Sequence, residues 1–69
     1  MNEAKILEEL QKAAESGYAF NQFDLGLRYA NGFGVEKDLT KAAEWLRKAA
    51  EQGVEGAQKA LDEISADPK

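Results

Sequence analysis

The strongest constraint on this sequence is a short internal repetition. The hexapeptide KAAESG at Lys12–Gly17 returns as KAAEQG at Lys48–Gly53, and the same spacing superposes Leu25 on Leu61. A period of this length, with two helices in each unit, is typical of stacked helical repeats, in which each unit buries its apolar face on the next. We therefore expect a helical-repeat architecture.

Helical periodicity divides the chain into four segments. In each segment, apolar residues recur three and four positions apart, with charged residues between them. Gly17 and Gly53 stand where helix C-termini favour a left-handed residue, and Asp38 is a good N-cap for the third segment. The pattern predicts an all-α fold of four antiparallel helices that form about two stacked helix pairs. We expect these helices to cover Glu3–Ser16, Ala19–Asn31, Leu39–Gln52 and Glu55–Ser65.

The second segment is apolar around most of its circumference. At about 100° per residue, its apolar groups form two arcs that nearly merge, so this helix is expected to be central, with neighbours on at least two sides. Gln22 is isolated among these apolar groups. What remains is a single polar stripe, which consists of Asn21, Asp24, Arg28 and Asn31.

Charge and composition exclude several classes of function. The chain has 9 Lys and Arg against 13 Asp and Glu, and its formal net charge of -4 has the wrong sign for nucleic-acid or anionic-membrane binding. Without Cys or His, we expect no disulfide, soft-metal site or catalytic triad, and no cofactor. No apolar run approaches the roughly 20 residues that span a bilayer, and Met1–Lys5 lacks signal-peptide features. We predict a cytoplasmic domain that is not an enzyme.

The stretch from Gly17 to Gly53 resembles the Sel1-like repeats, which are relatives of the tetratricopeptide repeats. The resemblance implies one full repeat at about 17–53, flanked by half-repeats at 3–16 and 54–66, in a single domain of residues 1–69. It also implies a module that binds a protein or peptide on the surface lined by the first helix of each unit. The matching residues are Gly17, Gln22, Leu25, Gly26, Tyr29, Gly32, Gly34, Val35, Asp38, Ala42, Trp45, Lys48, Ala49, Ala50 and Gly53.

Both end segments depart from the full repeat in the same direction. Ile6 and Glu9 stand where the full repeat has Ala42 and Trp45, and after Leu61 polar residues replace the expected Gly and Tyr. These polar replacements are Asp62 and Ser65. Terminal repeats need a wet outer face, so we interpret the end helices as caps of a complete small domain, natural or engineered.

The polar stripe of the second segment is the most site-like feature, and it has two interpretations. In the first, Arg28 and the asparagines hold a carboxylate or a peptide backbone of a partner. In the second, the stripe is a solvated face with a local Asp24–Arg28 ion pair. The sequence favours the solvated face and leaves the binding surface open.

The aromatic residues and the glycine pair also allow two interpretations each. Four aromatic residues form a large group for so short a chain, and we expect them in the core, with an exposed patch or homodimer contact as the alternative. They are Tyr18, Phe20, Phe23 and Phe33.

The glycine pair Gly32 and Gly34 could suggest a phosphate-binding loop or a turn. These glycines follow a helix and lack the Lys and Ser or Thr of a nucleotide loop, so they predict a turn.

Three functional hypotheses follow. The first is a non-catalytic protein–protein interaction module whose polar contacts are the stripe residues. The second is a structural or engineered minimal repeat that self-associates through its aromatic surface, because arrays normally need about three repeats for stability. The third is a small immunity-type or inhibitor protein with an acidic surface. For the fold itself, we predict that Trp45 is buried between the second and third segments.

Overall fold

The computed structural model describes residues 3–66, and these form four α-helices. They are α1 (Glu3–Glu15), α2 (Ala19–Asn31), α3 (Leu39–Glu51) and α4 (Glu55–Ala66). Each observed boundary lies within one residue of the expected one, so the predicted all-α fold is confirmed. The helices have 12 or 13 residues, and within the described part of the chain none is both long and apolar enough to cross a membrane.

The turns after α1 and α3 repeat the same hydrogen-bond pattern. Gly17 and Gly53 have φ of 102° and 96°, which only glycine adopts without strain. After α1, the Tyr18 N–H donates to the Ala13 carbonyl at 3.3 Å, and after α3 the corresponding bond is 3.2 Å. Both turns are Schellman motifs that satisfy the last carbonyls of their helices, and both glycine stops predicted from the repetition are confirmed.

Helix α2 lies at the centre of the fold. It packs against α1 and α3 and also contacts α4, while α3 packs against α4. Where α2 meets α3, a Cβ on Gly26 would lie 2.8 Å from the Leu46 side chain, so only glycine permits this approach. Where α2 meets α4, a Cβ on Gly56 would lie 3.0 Å from the Phe23 ring. The central position expected from its apolar circumference is confirmed.

The core consists of two clusters, one on each side of α2. The first is built on Leu10, Ala14 and Leu25, and the second on buried residues of α3, α4 and the turn between them. Trp45 is only half-buried and packs against the first cluster, which brings α1 residues to it. The prediction that Trp45 is buried is therefore wrong. The predicted location between the second and third segments also left out its contact with α1 residues.

Buried Gln22 joins the ends of three helices. It is 5% exposed, and its Nε2 donates to the Ala14 carbonyl at 3.1 Å. Its Oε1 accepts a hydrogen bond of 3.0 Å from Gln52 Nε2, which also donates to the Gly17 carbonyl at 2.8 Å. The amide therefore lies among apolar groups because backbone and side-chain partners satisfy it.

The aromatic residues do not form the core that the sequence led us to expect. Tyr18, Phe20 and Phe33 are 64%, 74% and 64% exposed. Phe23 alone of the four is partly buried, and it packs against the second core cluster. Tyr18 and Phe33 belong to inter-helix connections and Phe20 to the first turn of α2, so these rings extend from the ends of α2 into solvent.

A candidate protein-binding groove along helix α2

One side of α2 is not covered by the other helices. The residues on that side are the four of the predicted polar stripe together with Phe20, and Leu27 lies at the edge of the same arc, where it also packs against the second core cluster. Asp24 and Asn31 are exposed, whereas Asn21 and Arg28 are half-buried. The stripe is therefore the accessible face of the central helix.

A groove runs along the C-terminal half of this face. It is lined by Asp24, Leu27, Arg28, Asn31, Gly32 and Phe33, and we call it the α2 groove. Leu27 and Asn31 also line a second hollow, which continues to Ala60 and Glu63 of α4. The structure thus brings together three of the four stripe residues, while Asn21 lines neither hollow.

Arg28 is held in place by two neighbours within the groove. Its Nε donates to Asp24 Oδ1 at 3.2 Å, and its guanidinium lies 5.2 Å from the centre of the Phe33 ring. The Arg28 side chain is 16% exposed and that of Asp24 is 52% exposed. The local ion pair of the solvated-face interpretation is therefore present, and the Asp24 carboxylate is the more accessible of the two charges.

The C-terminal end of α2 fixes the position of Phe33. Gly32 has φ of 68° and donates its N–H to the Arg28 carbonyl, which also accepts from the Phe33 N–H at 2.9 Å. Asn31 Nδ2 donates to the Leu27 carbonyl at 3.0 Å. With Gly34 at φ of 81°, both glycines of the connection take the positive φ that the sequence predicts.

The start of α3 closes the other end of this connection. The Asp38 N–H donates to the Tyr29 carbonyl at 2.9 Å, and the Asp38 carboxylate accepts from the Lys41 N–H at 3.1 Å. Asp38 is therefore the N-cap of α3, as predicted, and it ties the connection back to α2. The wall of the groove is a loop whose two ends are both hydrogen-bonded to helices.

Sequence reasoning missed Leu27 and Phe33 as groove residues. Leu27 belongs to the apolar arcs of the second segment, which were expected to face other helices, and Phe33 was expected in the core. The available signal was the proximity of Phe33 to the stripe, since it follows Arg28 by five residues across the Gly32 turn. Among residues 3–66, no three His, Cys, Asp or Glu side chains come together in a way that could hold a metal ion.

Comparisons with known proteins agree on the repeat. The model of the family described as "Sel1 repeat" matches residues 10–18 and 22–54. Over 43 residues the chain is 51% identical to the secretory immunoglobulin A-binding protein EsiB of Escherichia coli O6:H1, covering 62% of this chain and 9% of that protein. No solved structure matches the chain.

Two further relatives come from distant organisms. DAP3-binding cell death enhancer 1 of Rattus norvegicus is 34% identical over 61 residues, which cover 88% of this chain and 12% of that protein. The putative sel1-like repeat-containing protein L18 of Acanthamoeba polyphaga mimivirus is 36% identical over 45 residues, covering 65% and 8%. This chain thus spans between 8% and 12% of the length of these relatives. Because the family match extends over more than half of its residues, the chain belongs to the Sel1 repeat family.

Proposed function

We propose that this chain is a non-catalytic module that binds a protein or peptide in the α2 groove. The observation that carries the proposal is the groove itself, in which a fixed cation, an exposed carboxylate and an amide surround Leu27 and Phe33. Asp24, Arg28 and Asn31 are the polar contacts within it. Asn21, on the same face but outside the groove lining, is a contact at its edge.

The physical composition of the groove suits a peptide. Binding sites for peptides combine apolar area with a few placed polar groups, and arginines held in one geometry lose little entropy on binding. Arg28 is already oriented by Asp24 and Phe33, at 3.2 Å and 5.2 Å. A partner side chain that packs on Phe33 therefore meets preformed neighbours.

The family supports the same class of function. Sel1 repeats generally mediate protein interactions and are typically non-catalytic. Two of the relatives are named for a protein that they bind, secretory immunoglobulin A and DAP3 respectively. A net charge of -4 disfavours nucleic acids and anionic membranes as partners. A cytoplasmic location remains a prediction from the cysteine-free sequence.

The test compares two exposed phenylalanines. Phe33 lies in the groove and Phe20 outside it, and they are 64% and 74% exposed, so both can be replaced by Ala with little effect on folding. A displayed peptide library, secretory immunoglobulin A and DAP3 serve as probes. We expect Phe33→Ala to weaken binding of a selected ligand at least about tenfold and Phe20→Ala less than about twofold.

Arg28→Ala provides the second variant of this test, with helical circular dichroism as the control for folding. We expect a loss of affinity similar to that of Phe33→Ala, because the two side chains contact each other. If a ligand binds Phe33→Ala and Arg28→Ala as tightly as it binds the parent, the binding surface lies elsewhere on the chain.

We propose self-association as a second candidate function, on the specific observation that Tyr18, Phe20 and Phe33 are all more than half exposed. Exposed aromatic surface favours contact between copies. Sedimentation at several concentrations tests it: a mass that rises with concentration and falls back in Phe20→Ala supports a homodimer. A monomer at every concentration contradicts it.

A further inference from the structure

The C-terminal end of α2 places asparagine directly before glycine, at Asn31–Gly32. In an Asn–Gly pair, the glycine backbone nitrogen is not shielded by a side chain and can attack the Asn side-chain carbonyl carbon. The other described asparagine, Asn21, precedes Gln22 in the first turn of the helix. The chain therefore carries one reactive pair and one unreactive comparison on the same helix.

The fold restrains both reacting groups of this pair. The Gly32 N–H donates to the Arg28 carbonyl, so its nitrogen is held in the helix cap. Asn31 Nδ2 donates to the Leu27 carbonyl at 3.0 Å, which fixes the side-chain amide. As the last residue of α2, Asn31 also keeps helical backbone angles, and ring closure needs a different ψ.

We propose that Asn31–Gly32 is a self-modification site whose reaction is gated by opening of the last turn of α2. When the turn opens, the Gly32 nitrogen forms a bond to Asn31 Cγ, its proton is lost, and the side-chain nitrogen leaves as ammonia. Water then opens the succinimide at either carbonyl. The net change is the gain of one water and the loss of one ammonia, which leaves aspartate or isoaspartate at position 31.

The products change the end of the helix. A carboxylate at position 31 cannot donate to the Leu27 carbonyl, and its negative charge opposes the negative end of the helix dipole. Isoaspartate also adds a carbon to the backbone beside Gly32, whose φ of 68° caps α2. Since Asn31 and Gly32 both line the α2 groove, the reaction adds a charge there. Only this last consequence rests on the proposed function.

The experiment follows the intact protein in warm, mildly alkaline buffer, with and without denaturing urea. Peptide mapping by mass spectrometry reports the mass increase when an NH2 is replaced by an OH, and isoaspartyl methyltransferase labelling reports isoaspartate. We expect position 31 to react at least about tenfold faster in urea than in the native state, because local opening limits the native reaction. Asn21 is the internal control and should stay unmodified in both conditions.

Hydrogen exchange measures how often the last turn of α2 opens. If the same opening exposes the Gly32 nitrogen to both reactions, the protection factor of its amide should equal the ratio of unfolded to native deamidation rates within about threefold. Asn31→Gln should abolish the signal, since the longer side chain could cyclise only to a six-membered ring, which forms much more slowly. The proposal would be overturned by equal deamidation rates in the two states or by no reaction in urea. It would also be overturned if the native deamidation rate did not match the rate calculated from the Gly32 protection factor. No partner is needed, so its failure is distinguishable from failure of the proposed function.

Discussion

The two KAAE-x-G hexapeptides end α1 and α3 with nearly the same backbone and with different surroundings. The glycines have φ of 102° and 96°, and the hydrogen bonds that close the turns differ by 0.1 Å. The next residue is Tyr18 in the first copy, 64% exposed, and Val54 in the second, 9% exposed. Local sequence therefore determines the turn, whereas the neighbouring helices determine what the turn buries.

The residue before each glycine shows the same contrast. Gln52 of the second copy reaches back to the first turn, where it donates to the Gly17 carbonyl and to Gln22. The first copy has the short Ser16 at this place. The turn after α3 thus supplies the side chain that hydrogen-bonds to the turn after α1 and to Gln22. The two similar hexapeptides therefore contribute differently to stability.

The largest losses of stability are expected at the paired leucines Leu10 and Leu46. Leu46 is fully buried against Gly26, while Leu10 is 8% exposed in the first cluster. We expect Leu46→Ala to cost about 2–5 kcal/mol, comparable to the roughly 3–5 kcal/mol that so small a core provides. Leu10→Ala should cost about 1 kcal/mol less. Urea unfolding followed by circular dichroism measures both, and a reversed order would contradict the deeper burial of Leu46.

The paired glutamines give the next effect. Gln22 is buried with two amide partners, whereas Gln58 is exposed and donates to Asp62 Oδ1 at 2.9 Å. Gln22→Ala removes two hydrogen bonds and should lower the free energy of unfolding by about 1–3 kcal/mol, although the Ala14 carbonyl and Gln52 each keep another partner. Gln58→Ala should change it by less than about 0.5 kcal/mol. The same urea titration decides, and equal losses would mean that the amide bridge adds no stability.

A smaller effect is expected at the residues that follow the two glycines. Val54→Ala removes two buried methyl groups and should cost about 1–2 kcal/mol. Tyr18→Ala should stay within about 0.5 kcal/mol, because its ring is mostly in solvent. Thermal unfolding monitored at several concentrations measures the pair. A large loss at Tyr18 that depends on concentration would indicate instead that the ring is covered by another copy.

The repeated pattern made most of the fold predictable from local signals. Helix bounds, both glycine stops and the Asp38 cap depend on a few consecutive residues, and each was located to within one residue. The central position of α2 was also visible, because an apolar circumference requires neighbours on several sides. These features need no knowledge of the tertiary contacts.

Side-chain burial was not predictable in the same way. Phe20, Phe33 and Tyr18 are apolar enough for a core, but they lie at helix ends and in connections that α1, α3 and α4 do not cover. Trp45 packs toward α1, a contact that no local period encodes. The groove depends on the Gly32 turn that brings Phe33 back over Arg28, so the sequence indicated its polar residues and missed its aromatic wall.

The smallest change in stability is expected at the Asp24–Arg28 ion pair of the α2 groove. Asp24 and Arg28 have Ala60 and Ile64 as their counterparts, so the pair exists in the first copy alone. We expect Asp24→Asn to cost only about 0.3–0.5 kcal/mol, because an i,i+4 pair with a half-exposed carboxylate is well screened. The loss should shrink at high salt.

The control variant is Asp62→Asn, which makes the same change in net charge. Asp62 accepts from the neutral Gln58 amide and not from a cation, so the small effect of Asp62→Asn on stability should not vary with salt. Urea midpoints at low and high salt for both variants measure this difference. A salt-independent loss at Asp24 would mean that the carboxylate acts mainly through packing against Arg28 and Phe33.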